Sequence, residues 1–236
     1  TETENQAWES QDMSDSDATK FRAVVARCNF LSIDRPDIMY ESKECSRHMS
    51  RPTNGDWVAL KRLARYLLSR PRLVHMFRWQ DEQTTLTAFS DSNWAGCKRT
   101  RKSTSGACYL HGAHLIKAFS KTQANIALSS GEAEFYSMVA ASSEALGLRA
   151  MTCDYDSELE PWLYVDASAA IGVAQQNGLG KIRHLDTQSL WLQEAVRKRK
   201  LGVVKVKGTE NPADLMTKFT DLATLDKLCA TMGLVV

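Results

Sequence analysis

The chain has 236 residues, 43% hydrophobic and 25% charged, which suits one large or two small globular domains with a sizeable core. No apolar run approaches the roughly 20 residues of a membrane span, and the polar start is no signal peptide. Six scattered cysteines, without C-x-x-C or paired His spacing, argue against a zinc site and for reduced thiols in an intracellular protein.

A net charge of +2 conceals an asymmetry, because residues 1–17 hold six acids and no Lys or Arg. The remainder carries 30 basic and 22 acidic residues, an excess that suits a polyanionic partner without specifying one. Residues 1–17 lack hydrophobic periodicity and are expected to be a disordered acidic lead-in. Opening on Thr1 rather than Met suggests a piece of a longer protein.

From residue 18 to about 70 the signals are helical. "DATKFRAVVARCNFLSI" has apolar residues at helical spacing behind an Asp17 cap, and "DRPD" breaks it. "DIMYESKECSRHMSR" and "TNGDWVALKRLARYLLSR" follow as amphipathic helices, the second with Trp57, Leu60, Leu63 and Leu67 on one side. After Pro71 the period changes to two. "LVHMFRW", "TTLTAFSD", "GACYLHG" and "HLIKAFS" are strand candidates with turn residues between them. A long helix, "SSGEAEFYSMVAASSEALGLRAM", leads to a strand, "WLYVD". A helix over "ASAAIGVAQQ" is expected to end at Asn177-Gly178. A second helix, "HLDTQSLWLQEAVRKR", precedes the strand "LGVVKVKG", and "NPADLMTKF" opens the last helices. Hairpins mixed with crossovers imply an α/β sheet closing as one domain.

Four acids stand at element ends. Asp91 and Asp166 each end a strand, and ligands of open α/β sheets bind beyond the carboxyl ends of adjacent strands. Such a pair is costly unless a hard cation neutralises it. Glu132 lies three residues after Ser129 as a capping box, so Glu134, among small neighbours, is the better ligand candidate. Asp214 follows Asn211-Pro212 in the expected first turn of a helix, where the dipole alone would stabilise it.

The stretches "FSDSNWAG", "STSGACYLHG", "SKTQANIALSSGEAEFYSMVAAS", "YVDASAAIGVA", "KIRHLDTQSLWLQE" and "NPADLMTK" closely resemble the ribonuclease H domain of copia-type retrotransposon Pol polyproteins. "FRAVVARCNFLSIDRPDIMYESKECSRHMSRPTNGDWVALKRLARYL" resembles the segment joining reverse transcriptase to that domain. The resemblance implies a ribonuclease H-like mixed five-stranded sheet with helices on both faces over residues 81–236, preceded by a helical connection segment over 18–80. It implies that Asp91, Glu134, Asp166 and Asp214 hold two Mg²⁺ ions, with Mn²⁺ as a substitute, about 4 Å apart. It further implies hydrolysis of the RNA strand of RNA–DNA hybrids beside an upstream reverse transcriptase, in cytoplasmic element particles or the nucleus. Asn93 stands where a second Asp is common, and Ala167 where Asn is frequent. The loop "KGTENPAD" lacks the His that cellular ribonucleases H carry there. His184 matches a His usual in the copia family, as a helix-start residue or an auxiliary catalytic one.

Phosphate contacts are expected from Lys98, Arg99, Arg101 and Lys102, and from Lys205 and Lys207, with Ser105, Lys121 and Gln123 as weaker candidates. "RKRK" at 197–200 closes a helix, where cations also suit the dipole. Trp94 is expected to pack over the sheet edge and fix the Asp91 turn. An aspartic protease fails for want of D-T-G or D-S-G. A polymerase centre fails because "YVDA" lacks a second Asp, and an integrase because no zinc spacing precedes the acids. The rival from another class is a catalytically silent nucleic-acid-binding domain of a decayed element, against which the presence of all four acids weighs.

Overall fold

A computed structural model describes residues 2–176 and 187–235. His184 and the helix end expected at Asn177-Gly178 lie outside the described residues. The chain divides into two compact units after Val74. None of the described helices is long and apolar enough to cross a membrane. None of the six cysteines forms a disulfide, and only Cys153 is exposed.

The first unit is helical: α1 (Glu2–Glu9), α2 (Asp15–Leu31), α3 (Met39–Ser46) and α4 (Asn54–Ser69). Phe21, Val25 and Cys28 of α2 close a core with Ile38, Cys45, Leu60 and Leu63, and Trp57 and Leu67 pack at its rim. Two local expectations need correction. The α2 cap is Ser14, whose Oγ accepts from the Asp17 N–H, so Asp17 sits in the first turn instead. The lead-in is ordered, because long-range contacts replace the missing apolar pattern. Arg51 grips the Asp12 carboxylate, and Asn54 donates its backbone N–H to the Gln11 carbonyl. At "DRPD" the chain makes a 3-10 turn, Pro36–Ile38, where Arg35 pairs with Asp37 at 2.7 Å out of solvent. Tyr66 O–H donates to the same carboxylate, which satisfies the buried charge.

The second unit is built on a five-stranded sheet of β1 (Thr85–Asn93), β2 (Thr104–His111), β3 (His114–Thr122), β4 (Glu160–Val165) and β5 (Gly202–Lys205). Its order is β3-β2-β1-β4-β5, antiparallel across the first three and parallel from β1 through β4 to β5. This is the ribonuclease H-like mixed sheet that the sequence implies. On one face lie α5 (Ser130–Cys153), α6 (Ser168–Gln175) and α7 (Thr187–Arg197), over a core that includes Leu86, Ala88, Tyr109, Phe135, Met138 and Leu163. The other face receives a 3-10 turn, Pro212–Met216, against which α8 (Leu222–Thr231) packs. The helix expected from "NPADLMTKF" is thus a short 3-10 turn, and α8 starts only after Asp221, its cap. "LVHMFRW" likewise yields only the strand Val74–His75, because Phe77 and Trp79 find no core and stay exposed.

One glycine decides how closely that 3-10 turn approaches. Gly106 of β2 is paired with Asp91 of β1, and a Cβ there would lie 2.5 Å from Met216 Cβ and 2.6 Å from Thr217 Cγ2. Gly106→Ala is therefore expected to lower stability by about 1–3 kcal/mol through overpacking, read as a lower urea midpoint at constant m.

Candidate active site

Asp91 stands where the parallel and antiparallel ladders of β1 part. The pairing with β4 ends at Ser90↔Val165, while the pairing with β2 continues to Asn93↔Thr104. The strand therefore does not stop at Asp91, as expected, but Asp91 is the first residue beyond the parallel half. Asp166 follows Val165, the last residue of β4, so adjacent parallel strands deliver two carboxylates to one end of the sheet. α5 supplies a third. Small residues let it lie close on β1, with Ser90 Oγ 3.0 Å from Ser137 Oγ and Ser137 O–H donating to the Asp91 carbonyl at 2.7 Å. Glu134, one turn earlier, then reaches the strand end and accepts from the Ser92 N–H at 3.3 Å. Glu132 turns away to cap its helix, accepting from the Leu128 N–H, while Ser129 Oγ accepts from the Glu132 N–H.

Oxygens of Asp91, Glu134 and Asp166 lie within 4.8 Å of one another. Asp214 stands beside this group rather than in it. It sits on the 3-10 turn, not in an α-helix, and its Oδ1 is 2.8 Å from Lys218 Nζ. Thr217 O–H donates to Asp91 Oδ2, and Asn211 Nδ2 donates to the Ser90 carbonyl, so the turn is stitched to β1. Lys218 and Thr217 were missed as site residues. "NPADLMTK" contains both, but only the turn's approach over Gly106 turns them toward the acids.

Burial and like charge leave their mark on this group. Burial pushes the Asp91 carboxyl up to about 7, reinforced by Asp214 and opposed by the Thr217 hydroxyl and Lys218. Burial raises Glu134 to about 8, with Asp91 and Asp166 adding to the shift. Asp214 is raised by burial against the pull of Lys218. Glu134 Oε2 is buried without a hydrogen-bond partner. An orphaned carboxylate oxygen among converging all-oxygen donors fits a hard divalent cation.

The other candidates divide by place. Lys205 and Lys207 line an open groove of about 1020 Å³ with Asp166, Asp214, Lys218 and Lys227. Lys98, Arg99, Arg101 and Lys102 occupy the β1–β2 loop, mostly exposed. Trp94 opens that loop and donates its indole N–H to the Ala127 carbonyl at 3.0 Å, tying it to the loop before α5. Lys121 lies in a second groove with Asn125, Tyr136 and Trp191. Ser105 and Gln123, though mostly buried, line the same groove as Lys121. Gln123 Nε2 donates to Ser105 Oγ and the Ala133 carbonyl, bracing β2 against α5. Arg199 and Lys200 of "RKRK" sit with Thr84 and Glu160 at the opposite end of the strands from the acids.

No family model matches the chain. It is 31% identical over 205 residues to the retrovirus-related Pol polyprotein from transposon RE2 of Arabidopsis thaliana, covering 86% of this chain and 14% of that protein. It is 29% identical over 186 residues to the corresponding polyprotein from transposon TNT 1-94 of Nicotiana tabacum, covering 78% of this chain and 14% of that protein. Among solved structures, LC11-RNase H1 isolated from compost superposes with a TM-score of 0.43 at 14% identity, over 61% of this chain and 98% of that one.

Two outcomes are expected from this geometry. Asp91 and Glu134 titrate near 7 and 8 when folded but near 4 when unfolded, so the folded state holds the extra protons between those limits. Stability present below pH 4 is then lost as pH rises through 7 to 8. In EDTA the melting temperature should fall by roughly 5 °C or more between pH 5 and pH 8. Mg²⁺ should restore more of it at pH 8 than at pH 5, and Asp91→Asn with Glu134→Gln should flatten the metal-free profile. Lys218→Met should cost the metal-free protein about 1–2 kcal/mol in denaturant melts, with Mg²⁺ recovering part of the loss.

Proposed function

Because the chain belongs to the copia-type, retrovirus-related Pol polyproteins of transposons, of whose length it spans about 14%, we propose that it is their metal-dependent ribonuclease H, hydrolysing the RNA strand of RNA–DNA hybrids. The observation that carries this reading is the convergence of Asp91, Glu134 and Asp166 within 4.8 Å from three separate elements. Capping, solvation or chance explains one acid at an element end, but not three converging from separate elements.

On this reading Asp91, Glu134, Asp166 and Asp214 hold two Mg²⁺ ions, or Mn²⁺ in their place. Such ions, when bound, lower the pKa of water and neutralise charge on a phosphodiester. The protein's own share is positioning. The β1–β4 ladder fixes Asp91 and Asp166, the Ser90–Ser137 contact sets the depth of Glu134, and Thr217 orients the Asp91 carboxylate. Lys218 holds Asp214 in place through an ion pair at 2.8 Å, for which a bound cation would compete. Lys205 and Lys207 on one side of the acids, and the loop bearing Lys98, Arg99, Arg101 and Lys102 on the other, suit a substrate with two phosphate backbones. Discrimination of RNA from DNA at such a site rests on 2′-hydroxyl contacts and groove shape. The natural setting is reverse transcription, beside the reverse transcriptase domain of the same polyprotein.

The test is cleavage of a hybrid labelled on its RNA strand. The intact chain should cut it only with a divalent cation, and Asp166→Asn should lower the rate at least roughly a hundredfold. Equal cutting by both proteins rejects the assigned acids. Equal cutting of duplex DNA or double-stranded RNA rejects the substrate class. Hybrid binding with no cleavage in Mg²⁺ or Mn²⁺ identifies the catalytically silent alternative.

A further inference from the structure

We propose that Trp94, Ile126 and Leu128 form an apolar platform that seats the minor groove of the RNA–DNA hybrid beside the acid cluster, an inference that rests on the functional reading above. In the loop between β3 and α5, Ala127 is buried, yet Ile126 is 53% and Leu128 71% exposed, with Trp94 47% exposed next to them. These side chains are not on slack chain. The Trp94 indole donates to the Ala127 carbonyl at 3.0 Å, and the Leu128 N–H donates to Glu132 Oε2 at 2.9 Å. The tethers end on the machinery itself: Trp94 is three residues past Asp91, and Glu132 is two residues before Glu134 on α5. Apolar side chains held out to water on fixed backbone mark a contact surface.

Charge names the occupant. The β1–β2 loop that Trp94 opens carries Lys98, Arg99, Arg101 and Lys102 and no Asp or Glu. A surface both apolar and strongly basic suits a polyanion that exposes apolar faces, which the sugars lining a nucleic-acid minor groove provide. The wide, shallow groove of an A-like hybrid admits a flat ridge of aliphatic and indole groups, whereas the narrower groove of B-form DNA does not. The ridge thereby adds selectivity that phosphate contacts alone cannot supply.

The test compares hybrid and DNA-duplex binding by fluorescence anisotropy with Mg²⁺, in an Asp166→Asn background so that substrate is not consumed. Ile126→Ser with Leu128→Ser should leave the melting temperature unchanged, since both side chains are exposed. It should raise the hybrid Kd roughly tenfold. The salt dependence should stay parallel to the parent's, because no phosphate contact is lost. DNA-duplex affinity should change by less than about twofold. An unchanged hybrid Kd overturns the proposal and assigns the ridge to another partner, such as an acidic protein surface. Equal weakening on both duplexes also overturns it. If the intact chain binds hybrid through this ridge but never cuts it, the nuclease reading fails while the platform stands.

Discussion

Withdrawing Asp91 and Glu134 from water, with Asp166 and Asp214 in Coulomb range, sets up a repulsion that the rest of the sheet-bearing unit must contain. Like charges a few Å apart in a dry pocket force one carboxyl to keep its proton or recruit a cation. The strained alternative, in which the acids splay outward, is closed by the elements around them. β1 and β4 are locked by their ladder, and α5 is drawn onto β1 by hydroxyl contacts instead of large side chains. The 3-10 turn is tied down through Asn211 and Thr217. The site thus carries an electrostatic cost in the free protein that a bound cation would relieve.

Two features outside the acids make this arrangement tolerable. Lys218 places an ammonium on Asp214, so the group carries one built-in positive charge. Gly106 removes the one side chain that would keep the turn, and Lys218 with it, off the sheet. The pair links backbone packing to the electrostatics of the site: a methyl group on β2 would be felt first as a steric clash and then as a displaced counter-charge.

Much of this was legible in the residues. Period-two runs located β1 to β3, the Ser129 cap located the start of α5, and the motif set around Asp91, Glu134, Asp166 and Asp214 named the family. The separation of Glu132 as cap from Glu134 as inward acid followed from helix geometry alone. Misreadings arose where long-range contacts override local pattern. The acidic lead-in gains order from Arg51 and Asn54 far along the chain. "LVHMFRW" has strand composition but no core to face.

By itself, then, the amino-acid order determined which elements form, which acids stand at their ends, and which lineage the chain shares, because periodicity, capping and motif spacing are local properties. Only the tertiary structure decided that three acids bring oxygens within 4.8 Å of one another while the fourth pairs with Lys218. It alone also put Trp94 and the loop before α5 on one ridge. Those outcomes depend on approach distances between segments up to 126 residues apart, as between Asp91 and Thr217. Such distances are set by packing against small residues such as Gly106 and Ser137, and packing has no signature in any single stretch of chain.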